Sequence, residues 1–497
     1  MAVTPTILDR LIGQFSPGAG LRRMRERELL ERAYEAASPR DGWKPRRPGA
    51  SANADHLADA GTIRTKARNL VQNVSYIAGG LEKHIANVIG TGIVPRSLAA
   101  NADAIDALWS EWGNVADADG ERDIYGLMAT AAYAMEQDGE VLVRLRNRRP
   151  EDGLPVPLQL QVLEIDWLDS AKNGTTDSGG AIIGGIEYDL LGRKTAYWLF
   201  PHHPGDPQTL LRGYLRGASK PVPVSALIHL FNPKRPGQGR GFSRLAPIIN
   251  AARDLRLYED AEIHRKNLET RLGVIVSGDA QTLANGVEAS EANRTGSLGE
   301  LPSGGILQTP AGLNFTKIEP SAAPGYVEYV KHHLHLIAAG MGITYEMLSG
   351  DMKEVNFSSA RVALLEYRRS VEQLQWLTLI PKLCLPIWRA FIDAAYLAGK
   401  VRAPDYRVDW STPKWDYVNP EQDVKSDTAE IAAGLSSFSE KLRRRGYKPD
   451  LVFSELKKDL ERLQKDGTLP LLLALQAHAA ALATPTAAAP AKSSQVS

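Results

Sequence analysis

The chain has 497 residues, enough for several hydrophobic cores, and its 43% hydrophobic and 24% charged content fits a soluble globular protein. A formal net charge of +1 argues against tight, bulk-charge binding of nucleic acid, though not against nucleic acid moving past the protein. A single cysteine, Cys384, cannot form an intrachain disulfide and points to a reducing compartment. No run approaches the length of a transmembrane helix, and MAVTPTILDRLIGQF is too polar for a secretory signal.

Residues 1–61 read as a basic, partly disordered arm. Between Arg22 and Arg47 nine basic residues face five acidic ones, and Pro39, Pro45, Pro48 and Gly49 break any pattern. Such an arm is either solvated or docked on a neighbouring subunit or shell. Order is expected from Thr62, with one helix running to Gly90. A second helix carries Ile105, Leu108, Trp109 and Trp112, and a third spans Ile124–Gln137. Strands are expected over Glu140–Arg146, Pro157–Leu163, Ile182–Asp189, Thr195–Phe200 and Ala226–Phe231. Leu190-Leu191-Gly192-Arg193 reads as a hairpin turn.

A Gly-rich turn, Arg235–Gly241, leads into a helix from Phe242 or Ser243 to Leu272. Leu245, Ile248, Ala252 and Leu255 mark an apolar face in its first half. Its second half has few apolar residues but offers pairs such as Glu262 with Lys266. A helix of this kind draws its stability from other chains. A short strand at Gly273–Ser277, a Gly/Ser/Asn/Glu-rich loop, and an extended stretch from Gly305 to Ile318 follow. A returning helix covers Pro324–Gly340. Two helices bracketing a small β insert make a stalk with a tip.

The polar turn Ser349-Gly350-Asp351-Met352-Lys353-Glu354 opens into a long helix. Phe357, Ala360, Leu364, Tyr367, Val371 and Leu374 lie on one face of it. Pro381 and Pro386 are expected to kink or break it. Residues 419–467 read as basic and helical, and the end beyond Thr484 as low-complexity and disordered.

Catalytic patterns are missing. RPGQGRG lacks the phosphate-reaching lysine of a P-loop and reads as a backbone turn. Asp117-Ala118-Asp119-Gly120 would need acidic residues at Val115 and Gly126 to be a calcium loop. His332, His333 and His335 point to different helix faces, and His202-His203 sits in a turn; neither reads as a zinc site. There is no G-x-S-x-G elbow, and Glu164, Asp166 and Asp169 are acid/base candidates only by abundance. Cys384 reads as core, and Trp410 and Trp415 as packing residues in a loop. No metal, catalytic residue or cofactor is expected.

Six segments in order carry a resemblance. They are RTKARNLVQNVSYIAGGLEKHIANVIGTGIVPRS, QDGEVLVRLR with LQLQVLEIDWL, GGIEYDLLGRKTAYWLF, VPVSALIHLFNPKRPGQGRGFSRLAPII, GMGITYEMLSGDMKEVNFSSAR, and NPEQDVKSDTAEIAAGLSSFSEKLRRRGYKPD. Together, from Ile63 to Gly467, the chain resembles the lambda-family portal proteins of tailed bacteriophages. The resemblance implies a non-enzymatic ring, usually a dodecamer, at one capsid vertex. Double-stranded DNA would be packaged through it by the terminase large subunit and later ejected. It also implies contacts with the major capsid protein, scaffold and head–tail adaptor proteins, no membrane, and a location in the virion after assembly in the host cytoplasm. The implied fold is α+β: an arm over 1–61, an α/β wing over 62–242, stem helices over 243–272 and 324–340, and a β-containing clip over 273–323. A tunnel loop and long wing helix would occupy 341–418, a helical crown 419–483, and a disordered tail 484–497. The tunnel loop would comprise Ser349, Gly350, Asp351, Met352, Glu354 and Asn356, with Lys353 at its tip as the first candidate for touching phosphate. Arg253, Arg256, Arg265 and Lys266 on the first stem helix are further channel candidates; each could equally be a solvated or intersubunit charge. A shell or head–tail assembly protein without a DNA channel, and an enzyme such as a nuclease, are the competing readings.

Overall fold

The computed structural model describes residues 12, 14–16, 18, 49–177, 179–206, 218–270, 274–277, 314–317, 325–353, 356–415, 420–445, 447, 449–468 and 470. It divides into two units, Met1–Asp55 and His56–Ser497. In the first, Ile12, Gln14, Phe15 and Gly18 are helical and Phe15 is exposed. The rest of the basic arm, most of the clip, and the tail lie outside the described residues.

Helix α1, Ala52–Asn73, begins earlier than Thr62 because Ser51 caps it, its Oγ accepting the Ala54 N–H at 3.2 Å. The single helix expected up to Gly90 is in fact two. Val74 is extended (φ −120°, ψ 104°) and separates α1 from α2, Ser75–Ile89. Flanked by Asn73 and Ser75, whose side chains compete for backbone bonds, this position favours a break. After β1, Val94–Ser97, come α3, Ala102–Gly113, and α4, Ile124–Asp138. Asp123 caps α4 by accepting the Gly126 N–H at 2.7 Å.

Strands β2, Glu140–Asn147, and β3, Leu158–Glu164, pair antiparallel. The run expected as one strand over Ile182–Asp189 is two. After β4, Gly174–Thr175, strand β5, Ala181–Ile183, turns back into β6, Ile186–Tyr188. Gly184 and Gly185 make that turn with φ of +57° and +81°, a region that side chains with a Cβ avoid. Strands β7, Lys194–Leu199, and β8, Lys220–Pro223, complete a five-stranded antiparallel sheet. Strand β9, Leu227–Phe231, completes a three-stranded sheet in the order β3-β2-β9.

That three-stranded sheet separates two cores. On one side Leu142, Leu163, Ile186, Tyr197, Leu199 and Leu227 join it to the five-stranded sheet. On the other lies the main core, where Trp109, Trp112, Trp388 and Phe391 stack with centroids 5.0–5.7 Å apart. Trp112 also donates to the Leu158 carbonyl at 2.7 Å, tying α3 to β3.

The helix expected from Phe242 or Ser243 starts later. Pro247 sits in a 3-10 turn, Ala246–Ile248, ahead of α5, Ile249–Thr270. Leu245, Ile248, Ile249, Ala252 and Leu255 are buried, whereas Leu257 and Ile263 are each 58% exposed. The described clip residues form one antiparallel pair, β10, Val274–Ser277, with β11, Asn314–Lys317. Helix α6, Tyr326–Met341, returns against α5. Tyr258 packs on Tyr329 with centroids 4.3 Å apart, and a Cβ on Gly340 would stand 2.2 Å from Ile248 Cγ2. Only glycine allows that crossing.

Beyond the short helix α7, Tyr345–Ser349, come α8, Phe357–Leu374, a π-helical stretch, Gln375–Cys384, and α9, Leu385–Leu397. Of the kink or break expected at the prolines, the break does not occur, but the α-helical path is interrupted by π turns across Pro381. Pro381 has no N–H to give, and the widened π turns carry the chain past it. Pro386 falls in the first turn of α9, where a missing N–H costs nothing. Tyr367, Val371 and Leu374 are buried as the spacing predicts. Trp410 sits not in a loop but on β12, Val408–Ser411, paired with β1. Helices α10, Pro420–Ala432, α11, Phe438–Arg444, and α12, Pro449–Lys465, end the described chain. No helix among the described residues is long and apolar enough to cross a membrane.

Candidate nucleic-acid interface

The turn after α7 is held from below. Ile343 and Leu348 pack so closely on α2 that a Cβ at Gly80 would lie 2.8 Å from Leu348 Cδ1. Lys83 donates to the Met347 carbonyl at 2.8 Å, and Arg244 reaches both Met341 O, at 2.5 Å, and Glu136, at 3.1 Å. Thr344 caps α7 by accepting the Met347 N–H, and Gly350 ends it.

The turn also ties itself. Ser349 Oγ donates to Tyr345 O at 2.9 Å and accepts the Asp351 N–H at 3.1 Å. Asp351 accepts the Lys353 N–H at 3.0 Å. Asn356 restarts the helix, its Oδ1 accepting the Ser359 N–H at 2.8 Å. Met352 and Lys353 are exposed on this framework, and Glu354 lies outside the described residues. Among the described residues no carboxylate pairs with the Lys353 ammonium.

The candidates on α5 differ in kind. Arg253 bonds Asp254 at 2.7 Å, Arg256 lies 4.0 Å from Asp260, and Arg265 bonds Glu262. Glu262, expected to pair with Lys266, bonds Arg265, and Lys266 adds its charge to the group. Arg265's hydrogen bond, helped by the charges of Arg265 and Lys266, holds Glu262 below the usual carboxylate range. Across α5 four basic residues face five acidic ones. The helix therefore offers a polyanion little net attraction, whereas Lys353 on the turn has no counter-ion among the described residues.

Two charge networks were not visible in the sequence. Glu140 is fully buried. It accepts from Arg240 at 2.6 and 2.7 Å, from His229 Nε2 at 2.9 Å and from the Gly241 N–H at 3.2 Å. His56 Nε2 lies 3.2 Å from it. Burial opposes the charge, but Arg240 and the two imidazoles outweigh it and hold Glu140 well below the ordinary carboxylate range. Burial pushes Lys194, alongside, down to about 8. The turn read from RPGQGRG thus delivers a guanidinium that ties β2 to the β5–β6 turn through Glu140 and the Gly184 carbonyl. The available signal was Glu140 itself, a charge opening the apolar run Val141-Leu142-Val143.

In the second network Arg68 spans Asp138, Asp166 at 2.6 Å and Glu164 at 3.2 Å, while Arg64 bonds Asp166 at 3.0 Å. Despite burial, Arg64 and Arg68 hold Asp166 below its usual range. Glu164, Asp166 and His203 could converge on a cation, but the guanidinium of Arg68 already bonds both carboxylates. Asp169 accepts from Ser219 at 2.6 Å. None of the three carboxylates is arranged as an acid/base pair.

The remaining candidates are packing groups. Asp117 accepts the N–H groups of Asp119, Glu121 and Arg122 and so shapes its own loop. His335 stacks on Tyr345 at 4.0 Å, and His333 lies against Tyr329. Burial pushes the Cys384 thiol up to about 12, which leaves it inert. Trp415 carries the Arg368 guanidinium 5.0 Å from its ring.

Comparison with known proteins matches residues 38–375 to the family model described as phage portal protein, lambda family. The probable portal protein of Halomonas phage phiHAP-1 is 27% identical over 453 residues, covering 86% of each chain. The portal protein of Escherichia phage N15 is 21% identical, covering 85% of this chain and 88% of that one. Portal protein B of Escherichia phage lambda is also 21% identical, covering 86% and 88%. Among solved structures, a chain in the neck of an empty gene transfer agent particle superposes with a TM-score of 0.45 at 15% identity, covering 82% of this chain and 95% of that one. The family match spans the three- and five-stranded sheets, α5, α6, the turn at Lys353 and all of α8, and the chain belongs to the lambda family of phage portal proteins.

Proposed function

We propose that this chain is one subunit of a closed ring, usually a dodecamer, set at a unique capsid vertex. Double-stranded DNA enters through it under the terminase large subunit and leaves through it at ejection. The observation that carries the reading is the order α5, β ribbon, α6, anchored turn, long helix, within a chain of portal family. In this assignment residues 62–242 form the wing, 243–272 and 324–340 the stem, 273–323 the clip, and 419–483 the crown. The turn at Ser349–Asn356 is the tunnel loop.

The physical chemistry supports it. Leu257 and Ile263 on α5 are exposed in the single subunit, as suits a helix that packs between identical neighbours. The arginines of α5 are answered by carboxylates of the same helix, so a wall built from it would not hold DNA by counter-ion release. Lys353, on a braced turn, supplies a single isolated contact per subunit. The role is structural rather than catalytic. Capsid protein, scaffold and head–tail adaptors are the remaining partners, with assembly in the host cytoplasm and a final place in the virion.

Electron microscopy of the purified protein tests this. A closed ring with a hole wide enough for duplex DNA is expected. A solid disc or a persistent monomer across assembly conditions would favour a shell protein without a channel.

A further inference from the structure

The three-stranded sheet is only half covered on the face that meets the five-stranded sheet. Glu140, Leu142, Arg144 and Arg146 share that face of β2 by alternation. Leu142 belongs to the buried core there, while Arg144 and Arg146 extend past it and are half-buried. Arg148 joins them: its Nε donates at 2.8 Å to Gln159, which stands directly across from Arg146. Gln161 stands across from Arg144. The result is three guanidinium groups in a row, flanked by neutral amides.

No described carboxylate answers the row. Arg144 and Arg146 make no hydrogen bond or ion pair among the described residues, and Arg146 Nε is buried without a partner. Asp119, on the far side of β3, is bonded by Gln161 at 3.1 Å, and both Asp117 oxygens are taken by backbone N–H groups. Burial and the like charge of Arg146 push the Arg144 pKa down. Other shielded arginines, Arg64, Arg68 and Arg265, are each paired with a carboxylate. Half-buried like charges side by side cost free energy unless an anion meets them.

From this row we infer that Arg144, Arg146 and Arg148 form a second nucleic-acid contact, on the wing, which binds the phosphate backbone of duplex DNA. Same-face residues of a strand repeat every ~7 Å. Phosphates of one DNA strand advance ~3.4 Å along the axis and also wind around it, so that adjacent phosphates are spaced on the same scale. A straight row of forked donors suits a linear, regularly spaced polyanion, and arginine binds phosphate through two parallel hydrogen bonds. The inference takes its ligand from the portal reading, but its residues are independent of the tunnel loop and stem.

The test uses the full-length chain and a labelled random-sequence duplex, with affinity followed from about 50 to about 200 mM salt. Replacing all three with glutamine (Arg144→Gln, Arg146→Gln, Arg148→Gln) should weaken binding at low salt. It should also flatten the slope of log affinity against log salt by up to about 2.7, three contacts at ~0.9 each. The triple lysine variant should keep most of the slope, which separates lost charge from a damaged fold. Lys353→Gln serves as the tunnel-loop control, and its loss should add to that of the triple variant. Unchanged affinity and slope in a folded glutamine variant would overturn the proposal. So would a variant that loses only binding to polyglutamate, which would make the row a site for an acidic protein. Ring formation is read separately by microscopy, so a chain that binds DNA through this row yet forms no ring would sink the portal-ring reading and not this one.

Discussion

Arg240→Met removes the guanidinium that neutralises Glu140 while keeping a long side chain in its place. Glu140 then remains at full burial with two imidazoles, one backbone N–H and Arg64 at 3.7 Å. It loses both bonds from Arg240, and the Gly184 carbonyl loses its donor at 3.1 Å. Breaking a buried pair from one side costs ~3–5 kcal/mol. The lost bond to Gly184 adds ~1 kcal/mol. The effect should appear as a lower denaturant midpoint, read by tryptophan fluorescence through the Trp109–Trp112 cluster. Glu140→Gln combined with Arg240→Met should recover a large part of the loss, because no charge is then stranded. A loss under ~1 kcal/mol in the single variant, or a double variant no better than the single, would refute the idea that Glu140 depends on this partner.

Stability should also fall in mild acid. Burial keeps His229 and His84 neutral, with pKa values down at about 4 and about 3 against an ordinary 6.5. Their contribution is present in full above pH 6.5 and is lost as pH falls toward those values, since the unfolded chain takes up protons first. Thermal midpoints from pH 8 to pH 4.5 check this, and a flat profile for wild type would contradict it. Lys353→Glu should cut packaging yield or DNA retention while rings still form, and unchanged packaging removes Lys353 from the DNA path. Leu257→Asp should block ring formation and leave the monomer's unfolding free energy within ~0.5 kcal/mol of wild type. Normal rings from this variant would place Leu257 away from any subunit contact.

Elements with a strong local pattern were legible from sequence. Helix α3 carries the four apolar residues periodicity assigned to it, and helix α4 and strands β2, β3 and β9 lie within a residue or two of where the sequence pattern puts them. The misses came where one local feature competes with another. Val74 divides a helix that periodicity runs together. Gly184-Gly185 turns a strand back that reads as continuous. The π turns carry a helix through Pro381, because the packing of Leu379, Ile380, Leu383 and Cys384 outweighs one missing hydrogen bond. The buried Arg240–Glu140 pair joins residues a hundred positions apart, beyond the reach of any spacing rule. The tunnel-loop candidates were located by resemblance. What the structure adds is that α5's arginines are internally answered, whereas no carboxylate among the described residues pairs with Lys353.

The most direct measurement is a cryo-electron microscopy map of the assembled particle in which the turn from Ser349 to Asn356 can be traced. The account predicts a ring around a duplex-wide hole, with Lys353 of every subunit facing into it. A ring whose Lys353 turns point outward, or an assembly with no hole, would contradict it.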